Sequence, residues 1–206
     1  MKAFNNYDEA KKSAEAQGSS AKLPEGAYVC KISAVRYETT EWGDRIALAF
    51  DICEGEYKGF FQKQFDANTS EDKKWKGKTN VFVPKDDGSE KDAITKKSFA
   101  SWTSAFEKSN PGYTWDWNEN KWKNKIIGIV YGETGTVIDG KEIVYTEARF
   151  PIEVEKVRSG NAPKAKFKAK NGYTGNQTES KPAAASSASA DEFMNVPEGG
   201  PEEIPF

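Results

Sequence analysis

A mostly β domain with one helix is predicted by three features of the chain. Residues 44–53 alternate apolar and polar side chains at the period of a half-buried strand. Residues 94–106 repeat core-type side chains every four positions, as one face of a helix does. Beyond Arg158 no periodicity survives. At 206 residues the chain has room for one domain with a segment left over, and not for two large ones.

Each element has its own signal. Residues 1–22 form a polar arm with one short helix-like stretch, in which Asn6 is placed to cap and Glu9 to occupy the third helical position. Leu23-Pro24-Glu25-Gly26 is a turn into a first strand at 27–37, rich in β-forming residues. In the second strand, 44–53, Ile46, Leu48, Phe50 and Ile52 alternate with Arg45, Ala47, Ala49 and Asp51, so one face is buried and one open. The turn at 54–59 leads to a third strand, 60–65, where Phe61, Lys63 and Phe65 share one face and Phe60, Gln62 and Gln64 the other. A lysine-rich loop, 71–78, precedes the helix, whose stripe is Ile94, Ser98, Trp102 and Phe106 with Phe99 and Ala105 beside it. Trp102 is therefore expected in the core. Asn110-Pro111-Gly112 stops the helix, and Tyr113, Trp115 and Trp117 alternate ahead of Asn118-Glu119-Asn120-Lys121 as an aromatic hairpin. A fourth strand at 126–131 and a long fifth at 142–157 follow, joined by a turn at Gly140. Pro151 lacks an N–H and places part of the fifth strand at an edge or bulge.

The order β-β-β-α-β-β is that of an OB-fold, a five-stranded, partly open Greek-key barrel whose face and loops take oligonucleotides or oligosaccharides. A generic α+β domain can share that order. The domain is expected over 23–158, followed by a basic, then low-complexity flexible linker at 159–190 and an acidic tip at 191–206.

Composition removes much chemistry. With no histidine and only Cys30 and Cys53, neither a four-ligand structural zinc site nor a nucleophile–imidazole pair can be assembled. Both cysteines lie in apolar, strand-like runs, which reads as free buried thiols in a reducing compartment. A carboxylate–metal nuclease is open on composition, with 32 Asp and Glu, but no paired acidic motif stands out. The expectation is no enzyme, no catalytic residue, no cofactor and no metal. No run approaches the ~18 apolar residues of a membrane span, and the amino terminus turns polar at once, so a cytoplasmic protein without a membrane partner is expected.

Charge is segregated along the chain. Residues 156–181 hold seven basic residues and one acidic, whereas 191–206 hold five acidic and none basic. The whole chain is at −2, so residues 1–190 carry +3. A basic body with an acidic end points to a polyanion and, separately, a protein partner. Flat rings on which bases stack, with lysines that follow phosphates, are what a sequence-tolerant single-strand binder needs. Lys73-Lys74-Trp75-Lys76-Gly77-Lys78 sets an indole among four lysines in a loop, a place where Trp75 is expected exposed and Trp75→Ala nearly neutral for stability. Trp42 lies in the turn between the first two strands, and Phe61, Lys63 and Phe65 offer an aromatic–cation–aromatic face. Trp115, Trp117 and Lys121 complete the candidate set, and Lys164, Lys166, Lys168 and Lys170 either extend the phosphate contact or neutralise the acidic end.

The last residues are Pro201-Glu202-Glu203-Ile204-Pro205-Phe206. They closely resemble the acidic tip of bacterial single-stranded DNA-binding proteins. In that family the tip docks into basic, apolar pockets on replication and repair proteins. The resemblance implies that Phe206, Pro205 and Ile204 are the apolar anchor, that the terminal carboxylate is caught by a cation, and that Glu202 and Glu203 steer the approach. Gly26-Ala27-Tyr28-Val29-Cys30-Lys31-Ile32, Ile46-Ala47-Leu48-Ala49-Phe50-Asp51-Ile52 and Gly55-Glu56-Tyr57-Lys58-Gly59 look like the opening of phage-encoded OB-fold single-stranded DNA-binding proteins of Gram-positive hosts. The amino-terminal Asn-x-Val-x-Leu-x-Gly pattern of the common bacterial proteins is absent, so their tetrameric assembly is not implied, while some homo-oligomer remains compatible. The resemblance implies a non-enzymatic protein that coats single strands in replication, recombination and repair and recruits partners through its tip. Stacking alone does not separate DNA from RNA. The readings that compete are the nuclease and an OB-type adaptor whose body binds protein.

Overall fold

A computed structural model describes residues 22–175, and the amino-terminal arm before it and the low-complexity linker and acidic tip after it lie outside the described residues. The chain is mostly β. Strands β1 (Gly26–Thr40) and β2 (Gly43–Ile52) form a hairpin, α1 (Phe60–Ala67) leads to β3 (Lys78–Phe82), and α2 (Glu90–Ser109) leads through a 3-10 turn (Glu119–Trp122) to β4 (Ile126–Ile138) and β5 (Lys141–Ile152). A short α3 (Val154–Arg158) and the two-residue strand β6 (Lys168–Ala169) follow. All six strands belong to one sheet, in the order β3-β2-β1-β4-β5 with β6 parallel to β4, and β3 and β5 end the path without pairing to each other.

The register of β1 explains its length. Gly26–Lys31 pair with β4 and Cys30–Thr40 with β2, and the register slips between Ile32 and Ala34, leaving Ser33 as the extra residue of a bulge. A bulge bends a strand and adds twist, so one strand serves two neighbours. The alternation in 44–53 places the core side as expected: Ile46, Leu48, Phe50 and Ile52 are buried with Cys30, Ile32, Val81, Ile127, Ile129 and Tyr131. The other face is not open as expected, because Ala47 and Ala49 are buried too and only Arg45 and Asp51 on it are partly exposed. Helix α2 closes this core with Phe99, Trp102, Ala105 and Phe106. Ser89 caps the helix by accepting the Asp92 N–H at 3.1 Å, and Asn110 ends it, its side-chain amide bonding to Phe106 O and Ile126 O at 2.8 Å each. The stop at 110–112 and the burial of Trp102 agree with the expectation.

Several expectations are corrected. Residues 60–65 are helix, not strand. Asp51 accepts the N–H groups of Phe61 and Gln62 at 3.0 and 3.1 Å, and Gly59 enters the helix at φ 72°, which starts a helical turn where a six-residue segment with three phenylalanines is too short to separate the two periods. The third strand is instead 78–82, so the described residues contain three α-helices rather than one. The fifth strand stops at Ile152, and 154–158 turn into α3. Pro151 does lie in an edge strand, since β5 pairs only with β4. Residues 159–175, expected as linker, pack on the sheet: Ala162 and Ala165 join Val157 of α3 against Val130, Phe150 and Ile152. Cys30 and Cys53 are both free, as expected, and burial pushes both thiols up from their ordinary value.

Candidate nucleic-acid interface

The second face of the β1–β2–β3 sheet is built by register. Opposite Ala47 stand Arg36 on β1 and Asn80 on β3; opposite Ala49 stand Ala34 and Lys78; opposite Arg45 stand Glu38 and Phe82. Facing residues share a side of a sheet, so these nine form three adjacent rows on the side away from Leu48 and Phe50. In two of the rows the middle strand contributes the buried alanines 47 and 49, flanked by Arg36, Asn80 and Lys78, and in the third it contributes Arg45. The face is thus a shallow trough with an alanine floor, bordered by Arg36 on β1, Lys78 on β3 and Arg45 at one end.

Its charges are partly balanced. Arg45 donates from Nε to Glu38 at 2.8 Å and Arg36 lies 3.6 Å from the same carboxylate, so one acid serves two guanidinium groups. Phe82 is half-buried, and Asn80 Oδ1 is buried with no hydrogen-bond partner among the described residues. An orphaned buried acceptor is a cost a ligand can relieve. The turn beyond the Glu38–Arg45 row carries Trp42, which is 54% exposed, and Tyr37, within β1, stands opposite Ile46 on the other side of the sheet. The Tyr37 hydroxyl donates to Asp44 at 2.7 Å, a bond that holds the Asp44 carboxyl below its usual range and pushes the phenol up.

The residues singled out in the sequence fall into separate groups. Phe65, Lys73 and Trp75 come together: the Lys73 ammonium sits 4.5 Å over the Phe65 ring, and the Phe65 and Trp75 rings are 5.7 Å apart. Lys63, Lys74 and Lys76 are exposed nearby in sequence, and Lys78 opens β3 on the trough. The aromatic–cation–aromatic strand face is not formed, because its strand is a helix and Phe61 is buried in the core. Trp75 is also corrected: it is half-buried, and its Nε1–H lies 3.1 Å from Phe50 O and 3.0 Å from Gly77 O, so the indole bridges β2 to the entry of β3. Trp75→Ala is therefore expected to cost stability, contrary to its place in a lysine-rich loop.

The aromatic hairpin is instead an irregular loop and 3-10 turn. Trp115 packs against the core and Trp122 is wholly inside it, whereas Trp117, at φ 63°, is 79% exposed and stacked on Phe99 with planes 14° apart. Lys121 is ion-paired with Asp116. Arg36, Arg45, Asn80 and Phe82 were not singled out by the sequence; the signal for Arg45 is its place in the polar register of 44–53, and the other three are brought beside it by strand pairing.

Among the described residues no group of three or more Cys, Asp or Glu is placed to hold a metal, and no helix is long and apolar enough to cross a membrane. No family model matches the chain, and no curated protein is recognisably similar to it.

Proposed function

We propose that the chain is a sequence-tolerant single-stranded DNA-binding protein of phage or prophage origin, a binding protein rather than an enzyme. On this reading it coats exposed strands in replication, recombination and repair in the bacterial cytoplasm, and its carboxyl-terminal tip recruits partner proteins. The observation that carries the reading is the trough on β1–β2–β3, where Arg36, Arg45 and Lys78 border an alanine floor with Phe82, Asn80 and, at the adjoining turn, Trp42. Cations for phosphates beside rings for bases are the two requirements of such binding. Topology supports it as well: β1 pairs both β2 and β4, α2 joins β3 to β4, and bringing edge β3 to edge β5 would close five strands into an OB-type barrel. The resemblance of residues 202–206 to the single-stranded DNA-binding tip supports the recruiting role.

Two substitutions test the trough in opposite directions. Trp42→Ala should weaken binding of oligo-dT by ~1–3 kcal/mol, the usual worth of one stacked base, without lowering the melting temperature, because the ring is mostly in solvent. Glu38→Gln should tighten binding, since it removes the carboxylate that competes with phosphate for Arg36 and Arg45. Fluorescence titration reads both, and unchanged affinity in the two variants would remove the trough from the interface.

A further inference from the structure

The segment after α3 is a strap with two different sides. Its apolar residues are used on the sheet: a Cβ at Gly132 would lie 2.5 Å from that of Ala165, and a Cβ at Gly135 would lie 2.8 Å from the Phe167 ring and 2.6 Å from that of Tyr173. The strap is pinned further along. Lys170 N bonds to Gly135 O at 2.8 Å, Asn171 to the Thr136 hydroxyl at 3.3 Å, and Thr174 to Glu142 at 2.8 Å. The Lys170 ammonium lies 3.2 Å from Glu147, which also contacts Thr134 and the buried Arg149. Burial pushes the Glu147 carboxyl up, but the Thr134 hydroxyl, Lys170 and Arg149 outweigh it and hold the group below its ordinary value.

Between these anchors the alternate positions are Lys164, Lys166 and Lys168, with Phe167 among them 43% exposed. In an extended chain alternate side chains recur about every 6.6 Å, a repeat comparable to the phosphate spacing of a stretched single strand. The strap begins on the outer side of the sheet, where Ala162 and Ala165 cover β4 and β5 beside β1, and the trough occupies the remaining outer side of the same sheet. Lys31, on β1 opposite Asp51, stands in the outer row between them.

We infer that the strap is a second, phosphate-tracking segment of the nucleic-acid path, so that a bound strand leaves the trough and runs along Lys164, Lys166 and Lys168. This rests on the single-strand reading above. The strap lysines then act on length: short oligonucleotides fill the trough, and only longer ones reach the strap.

The test uses the full-length chain and a variant carrying Lys164→Gln, Lys166→Gln and Lys168→Gln, titrated with oligo-dT of increasing length at several salt concentrations. The result expected is that the variant forfeits most of the affinity that the parent gains as the oligonucleotide lengthens. Its log K against log salt on long oligo-dT should also be shallower by about 2, at ~0.7 for each phosphate no longer neutralised. A variant with the parent's salt slope and length dependence would overturn the strap while leaving the trough standing. A parent chain that binds no oligo-dT would overturn the single-strand reading and the strap with it. A thermal melt of the variant, in which the anchors at Ala165, Phe167 and Lys170 are kept, separates removal of the three charges from a loosened strap.

Discussion

Trp122→Ala should lower stability by ~3–5 kcal/mol, the range for truncating a large aromatic in a core that cannot collapse around the hole. Trp122 is wholly buried, stacked on Phe106 at 4.5 Å with planes 18° apart, and 4.9 Å from Trp115. It joins the irregular 113–125 segment to α2, so the loss spreads to the Trp115 and Phe99 rings it supports. A chain of this size should melt roughly 10 °C lower or more. Trp117→Ala is the control: its ring is mostly in solvent, and a change within about 0.5 kcal/mol is expected. Equal losses in the two variants would mean that the division into core and exposed tryptophans is misplaced.

The second large effect is expected at Gly77. A Cβ at this position would lie 2.2 Å from Phe50 O and 2.7 Å from the Phe61 ring, clashes that no rotamer relieves because the first is with backbone. Phe50 N donates to Gly77 O at 2.8 Å and the Trp75 indole donates to both carbonyls, so the chain must pass this close for β3 to join β2. Gly77→Ala should therefore push β3 away from β2 at a cost of ~1–3 kcal/mol or more. Because β3 supplies Lys78, Asn80 and Phe82 to the trough, oligo-dT affinity should fall with it. Urea titration beside oligonucleotide titration reads both, and a Gly77→Ala chain with parental stability would contradict the close passage.

What the sequence made legible were the elements whose signal is local. The alternation of Ile46, Leu48, Phe50 and Ile52 and the four-residue stripe through Trp102 and Phe106 are set by burial against a single core, and both stand in the structure. The misread element, Phe60–Ala67, is decided by a cap from Asp51, which lies on the preceding strand. A period counted over the six residues themselves does not contain that bond. The true third strand is weak in the same way: of Lys78, Thr79, Asn80, Val81 and Phe82 only Val81 is buried, so it has little pattern of its own and is held by β2.

The candidate site was legible only in part for the same reason. Trp42 is visible as an aromatic in a tight turn, but the trough needs Arg36, Ala47 and Asn80 side by side, which requires the pairing of three strands. Trp75 misleads because its neighbours are lysines, while its Nε1–H finds two backbone carbonyls that the sequence does not announce. The strap reads as a solvated linker until Gly132 and Gly135 are seen to leave space for Ala165, Phe167 and Tyr173.

Titration of the full-length chain with oligo-dT, and with a duplex of equal length, across a range of salt tests the central claim most directly. Single strands should bind more tightly than duplex, with log K falling against log salt at about −0.7 for each phosphate neutralised. Equal affinity for duplex, or an affinity indifferent to salt, would contradict it.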